Sequence, residues 1–248
     1  MNTDICFGVR IQTCNRPKPK PIPYYVDQAL RCVMRQSYPN WKIFLIGDCY
    51  EPRAEFAEMS KIVPKDKIIA VNMHRAPERE IHTGYNLWCC GGITAFNFCL
   101  DLMGELGITH CANYDDDDLW FPEHLATLAE GFNYPSKPVF VCTLGHYKVP
   151  NKILPVCNAK DENGNNIITS IAGNNCNCGT AWDIKRMPLR AKNTIHNTAW
   201  KKDCWDYWFW KEVEYMANQN GMQMSIMPKV TVFHRHTHMV PLSQGCPK

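Results

Sequence analysis

The stretch Thr-His-Cys-Ala-Asn-Tyr-Asp-Asp-Asp-Asp-Leu-Trp-Phe-Pro, residues 109–122, decides the fold. Residues 109–114 read as a strand. Asp115, Asp116, Asp117 and Asp118 follow at once, and a helix begins near Pro122, carrying Leu125, Leu128 and Phe132 inward. Adjacent carboxylates repel and raise one another's pKa. One or two aspartates would serve as a helix cap; four exceed that need, and a divalent cation is the simplest compensation. Carboxylate oxygens suit hard cations such as Mg²⁺ or Mn²⁺. A calcium EF-hand is excluded, because it needs alternating ligands, a central Gly and a distant Glu. The run also lies at the carboxyl end of a strand, where open α/β sheets bind ligands.

Outward from this stretch, strand and helix alternate. Residues 5–13 read as a strand ending in the polar turn Thr13-Cys14-Asn15-Arg16-Pro17. Pro23 opens a helix with Val26, Leu30, Val33 and Met34 on one face. Residues 43–46 are a short apolar run of the kind buried on both faces, ending in Gly47-Asp48. A charged helix over 53–60, a strand over 68–71, and a helix after Gly91-Gly92 bearing Ile93, Phe96, Leu100 and Met103 continue the pattern, with a strand at 139–142. Such alternation argues for an α/β fold with a mainly parallel sheet flanked by helices. Beyond residue 149 the pattern loosens into an Asn- and Gly-rich region. Strand candidates there are 167–171 and 180–184, then an aromatic helix over 203–218 and a strand over 222–233. The expectation is one domain over 1–248, with a ligand-binding half (1–122) and a less regular half (123–248).

The 248 residues are 45% hydrophobic and 21% charged, which excludes disordered and fibrous designs. A net charge of +3 is too small to announce a nucleic-acid binder. No stretch approaches about 18 consecutive apolar residues, so no transmembrane helix is expected. The N-terminus lacks the pattern of a signal peptide, so a cytoplasmic setting is expected. There the 14 Cys stay reduced and mostly fill space as small buried side chains. Cys176-x-Cys178 is tighter than zinc-ribbon spacing; a zinc site of these two and a distant His is the alternative.

Several segments together resemble the GT-A-fold glycosyltransferases of family 2, which transfer a sugar from a nucleotide-diphosphate donor. The turn Thr13-Cys14-Asn15-Arg16-Pro17 is similar to the family's P-T-x-N-R. Residues 29–39, A-L-R-C-V-M-R-Q-S-Y-P, resemble A-x-x-S-x-x-x-Q-x-Y-P, and residues 41–48 resemble the second strand with its terminal Asp. Ala95-Phe96-Asn97 sits where the family has A-R-N, and residues 114–122 resemble its D-x-D-D-L-W-x-P segment.

The resemblance implies a Rossmann-like GT-A fold and a UDP-sugar donor. It implies transfer to a glycan or other hydroxyl acceptor with inversion, and Mn²⁺ or Mg²⁺ as cofactor. Thr13, Asn15, Arg16 and Asp48 would contact the nucleobase. Asp115, Asp116 and Asn97 would join the donor site, and Asp117 with Asp115 would bind the metal. A nucleoside diphosphate leaves readily only when its charge is neutralised, as a bound cation does; Arg16 or Arg75 would add to this. The chain departs from the family at Arg10 and Gln12, which interrupt an otherwise apolar first strand, and at Phe96, where Arg is usual.

Inverting transfer needs a carboxylate to deprotonate the acceptor. In the segment Asp203-Cys204-Trp205-Asp206-Tyr207-Trp208, similar to the family's E-D-W-D-x-W, Cys204 falls on the base position. That leaves Asp203 and Asp206 as candidates. His234, His236 and His238 follow a strand and share a face. His234 and His236 are candidate metal ligands, and a His ligand favours Mn²⁺. Trp200, Trp205, Trp208 and Trp210 are candidates for stacking an acceptor sugar. Two other readings remain: a catalytically inactive sugar-nucleotide-binding module, and a sugar-phosphate nucleotidyltransferase.

Overall fold

The computed structural model describes residues 5–147, 152–154, 159–160, 164, 166–167, 177–192 and 204–234. The chain runs β1 (Phe7–Thr13), α1 (Ile22–Met34), β2 (Trp41–Gly47), α2 (Arg53–Met59), β3 (Ile68–Asn72), α3 (Pro77–Ile81), α4 (Gly84–Cys90), α5 (Ile93–Glu105) and β4 (His110–Asp115). It continues β5 (Leu119–Trp120), α6 (His124–Phe132), β6 (Phe140–Tyr147), β7 (Lys152–Leu154), β8 (Ala159–Lys160), β9 (Asn166–Ile167), β10 (Thr180–Asp183), α7 (Trp205–Gln219) and β11 (Met224–His234).

One sheet holds these strands in the order β3-β2-β1-β4-β10-β6-β11-β9-β8, with β5 on β11 and β7 on β6. The first four strands are parallel. β10 then inserts antiparallel between β4 and β6, and β6 and β11 are again parallel. The chain travels outward from β1 to β2 and β3, then returns to place β4 on the other side of β1. The crevice above β1 and β4 is therefore a topological switch point, where such sheets bind ligands.

The two faces of the sheet carry separate cores. Phe7, Val9 and Ile11 of β1 face α1 and α6, packing on Val26, Leu30, Leu125 and Leu128. On the other face, Phe44 and Ile46 pack with Phe96, Leu100 and Met103 of α5 and with Phe209 and Val213 of α7. Strand alternation thus sends Gly8, Arg10 and Gln12 towards α5. The helix approaches closely, since a Cβ at Gly8 would come within 2.7 Å of Met103 Sδ.

Residues Gly84–Glu105 form a stretch long and apolar enough to cross a membrane by length and composition, and half of it is buried in the protein. Gly92 breaks it into α4 and α5. Its φ of 89° suits glycine, and a Cβ there would lie 1.9 Å from Gln12 Nε2.

The motif residues around the crevice have anchoring duties. Gln36 accepts Leu125 N–H (2.9 Å) and donates to Phe121 O (2.9 Å), fixing the segment after the acidic run to the end of α1. Tyr38 donates to Ile5 O at 2.7 Å. Trp120 stacks on Tyr114 with centroids 4.3 Å apart and donates to Cys178 O at 2.6 Å. None of the four aspartates caps α6, which begins at His124 with Glu123 as its N-cap. His124 is buried against Thr231 Oγ1 (2.7 Å), and burial pushes its pKa down to about 3.

Candidate active site

The turns after β1 and β2 are tied together. Asp48 N–H donates to Thr13 O at 2.8 Å. The Asn15 amide pairs reciprocally with the Glu51 backbone, both bonds at 2.6 Å. Asp48 is buried, and its Oδ2 accepts from Arg79 Nη2 at 2.6 Å. Burial works against the Arg79 charge, but the bond to Asp48 and that carboxylate's charge outweigh it and hold the guanidinium above its ordinary range. Among the described residues, three of the buried side-chain atoms without a hydrogen bond lie here, Asp48 Oδ1, Thr13 Oγ1 and Arg79 Nε, while others such as His124 Nε2 and Trp182 Nε1 lie in the core. Buried polar atoms are usually paired, so three beside one crevice are available to a ligand.

Arg79 was not a sequence candidate. It sits on α3, a five-residue helix too short to show a period. Arg75, by contrast, is exposed and its guanidinium bonds Glu80 at 2.7 Å.

The four aspartates have different principal partners. Asp118 N–H donates to Asp115 O at 3.1 Å, so the run is a tight turn whose side chains diverge. Asp115 receives the Asn177 amide at 3.2 Å and lies 4.0 Å from Arg10 Nη2. Burial, then the charge of Asp118, pushes its pKa up to about 7 against the pull of Arg10. Asp116 takes a two-pronged bond from Arg16, one arm at 3.1 Å. Asp117 pairs with Lys18, and Arg16 stands 3.9 Å away. Burial pulls the Lys18 ammonium below its ordinary pKa, with Asp117 opposing. Asp118 is 1% exposed and meets His234 Nδ1 at 2.8 Å.

Asp118, Cys178 and His234 bring one ligand atom each within 4.8 Å of one another. This differs from the set expected from sequence, Asp115 and Asp117 with His234 and His236. The turn directs Asp118, not Asp117, at His234, and Asp117 is engaged by Lys18. His236 lies outside the described residues, as does Cys176; Cys178 is brought to a distant His, His234. Oxygen, nitrogen and sulfur donors at this separation fit a first-row divalent cation.

On the opposite wall α7 begins at Trp205, with Cys204 as its N-cap. Trp205 Nε1 donates to Gly91 O at 3.0 Å, and its ring lies 4.8 Å from Phe96, which pins the start of α7 to the start of α5. Asp206 is in the first turn; burial raises its pKa, opposed by backbone N–H bonds and by Arg10. Asp203 and Trp200 lie outside the described residues. Trp210 is a core residue, packed edge-on against Trp182 and Phe140, so it is removed from the sugar-stacking candidates. Trp205 and Trp208 line a cleft of about 230 Å³ with Lys192, Glu212 and Tyr215. The Asn97 amide pairs with both backbone groups of Ala191, at 2.8 and 2.9 Å.

No family model matches the chain. It is 30% identical over 215 residues to an uncharacterized glycosyltransferase of Acanthamoeba polyphaga mimivirus, covering 85% of this chain and 86% of that protein. Among solved structures, S. aureus TarS matches with a TM-score of 0.63 at 12% identity, over 93% of this chain and 37% of TarS. The mannosyltransferase PcManGT from Pyrobaculum calidifontis, solved in complex with GDP-Man and Mn²⁺, matches with a TM-score of 0.60 at 11% identity. That match covers 96% of this chain and 59% of PcManGT, so the chain spans less than two thirds of either solved protein. At these identities the likeness to the solved structures is one of fold.

Proposed function

The chain belongs to the GT-A-like glycosyltransferases, and from that premise we propose that it is a metal-dependent, inverting, family 2-type enzyme that moves a sugar from a UDP-sugar to a hydroxyl acceptor. The observation that carries this reading is the meeting of the unpaired Thr13–Asp48–Arg79 group and the acidic run at one switch-point crevice.

Arg79 Nε–H donates, Asp48 Oδ1 accepts and the Thr13 hydroxyl donates. That donor–acceptor–donor edge complements uracil, which presents O4, N3–H and O2. Guanine offers acceptor–donor–donor and cytosine donor–acceptor–acceptor. Arg16 and Lys18 stand between this pocket and the acidic run, within reach of a diphosphate. Asp118 and His234 would hold the cation, the His donor favouring Mn²⁺ over Mg²⁺; the neighbouring Cys178 sulfur is a softer donor that suits Zn²⁺ better than Mn²⁺. When bound, the cation neutralises charge on the leaving diphosphate. Asp206 takes the acceptor hydroxyl's proton as the new C1–O bond forms and the C1–O bond to phosphate breaks, releasing UDP; its burial-raised pKa suits a base. Asp203 remains the other candidate. The aromatic cleft of α7 supplies an acceptor surface for a glycan, residues 1–122 form the donor half and 123–248 the acceptor half, and the compartment is cytoplasmic.

PcManGT, with its nucleotide sugar and Mn²⁺, supports the metal and donor class. One observation favours a second reading: Cys204, a poor base, occupies the family's base position, as in a module that binds a sugar nucleotide without turning it over. A donor-hydrolysis screen with UDP- and GDP-sugars, with and without Mn²⁺, separates the two. Release of UDP that requires Mn²⁺ is expected. UDP binding without turnover would establish the inactive module, and a preference for GDP-sugars would overturn the uracil assignment.

A further inference from the structure

Two departures of this chain from its family meet at one place. Arg10, which interrupts the first strand, lies with its guanidinium carbon 4.9 Å from the ring centroid of Phe96, the residue standing where the family has arginine on the helix. Arg10 is 3% exposed and sits mid-strand between Val9 and Ile11. An apolar side chain would pack there against α5, so nothing in the packing calls for a charge, and a buried guanidinium is costly unless paired.

Its pairing is a closed ring that ends on the acidic run. Nε donates to Asn113 Oδ1 at 2.6 Å, and Nη1 donates to Gln12 Oε1 at 2.8 Å. Asn113 donates to Asn177 O at 3.2 Å, and Asn177 donates to Asp115 Oδ1 and Oδ2 at 3.3 and 3.2 Å. The ring closes where Arg10 Nη2 faces Asp115 Oδ1 at 4.0 Å. Each member is itself held by another, and two elements, β1 through Arg10 and the short turn before β10 through Asn177, converge on one carboxylate of β4.

We propose that Arg10 is a positioning residue for the donor site: delivered from the strand instead of the helix, it fixes the Asp115 carboxylate from below, so that Arg10 and Phe96 are an exchanged pair. This rests on the transferase reading, and the experiment tells the two apart. UDP binding by calorimetry and UDP-sugar turnover are measured for the wild type, Arg10→Met, Phe96→Arg, the double variant and Asn177→Ala. Arg10→Met is expected to lower kcat by about a hundredfold, with UDP affinity unchanged because the base pocket is untouched. The double variant is expected to regain at least about tenfold of that loss, and Asn177→Ala to lower kcat by about tenfold. A kcat for Arg10→Met within threefold of wild type overturns the proposal, as does a loss shared equally by UDP binding and not relieved by Phe96→Arg. If Arg10→Met fails to fold, Asn177→Ala decides: wild-type kcat overturns the proposal and a selective kcat loss sustains it. A wild type that turns over no nucleotide sugar sinks the transferase reading itself.

Discussion

The two ends of the crevice are prepared in opposite ways. At the end proposed for the nucleobase, buried polar atoms of Thr13, Asp48 and Arg79 have no partner among the described residues. At the acidic end, every carboxylate already faces an internal group: Asn177 and Arg10 at Asp115, Arg16 at Asp116, Lys18 at Asp117 and His234 at Asp118. The first is a mould whose ligand completes it. The second is a balanced charge cluster in which, on the proposed reading, a cation and a diphosphate would replace existing partners. Asp48 and Arg79 already balance each other's charge, so their remaining atoms and the Thr13 hydroxyl can await a partner at modest cost, whereas four clustered carboxylates need cations at once.

The largest effect that tests this contrast is at the acidic end. Asp118→Ala removes the proposed cation ligand and the carboxylate that His234 Nδ1 meets; Mn²⁺-dependent donor turnover should fall by about a thousandfold, while UDP binding without metal stays at the wild-type level. If UDP binding falls in step, the two ends are not separate devices.

At the nucleobase end, Asp48→Ala also orphans Arg79. UDP binding should weaken by about 2 kcal/mol, roughly thirtyfold in Kd. Arg75→Ala, which breaks only an exposed pair, should leave Kd and Tm unchanged in the same calorimetric and thermal measurements.

The smallest effect is a pH trend in metal-free protein. Asp115 has a folded pKa raised from 3.8 to about 7. Its carboxyl keeps a proton in the folded state after the unfolded chain has lost it, so its contribution to stability is fullest at low pH and is lost as pH rises through that window. The Tm of the wild type should therefore fall relative to that of Asp115→Asn between pH 3.8 and about 7. A constant difference would show that Asn177 and Arg10 fully offset the burial of this carboxylate.

The sequence makes residues 1–122 far more legible than the rest. Helical period and short apolar runs place α1, β2, α5 and β4 within a few residues of their observed bounds, because each buries a long, regular face. The acidic run is visible because its chemistry lies in consecutive residues. Its pairings are hidden: Asp118 and His234 are 116 positions apart, and nothing local announces their bond. Arg79 escapes notice on a five-residue helix, and Asn177 in a turn of three residues. β10 is only four residues long, too short for a pattern to reveal that it runs antiparallel between two strands distant in sequence. The departures at Arg10 and Phe96 read in sequence as two unrelated anomalies, and only the fold makes them one.

The tight turn of the acidic run has a consequence for how the chain can change. Because Asp115, Asp116, Asp117 and Asp118 diverge to different partners, each has its own address, and the four identical letters are not interchangeable. Deleting any one residue would keep three aspartates in a row and still deliver the following ones to the wrong recipients. Composition would be nearly preserved while the message was lost. Here meaning resides in reading frame, as it does in a codon.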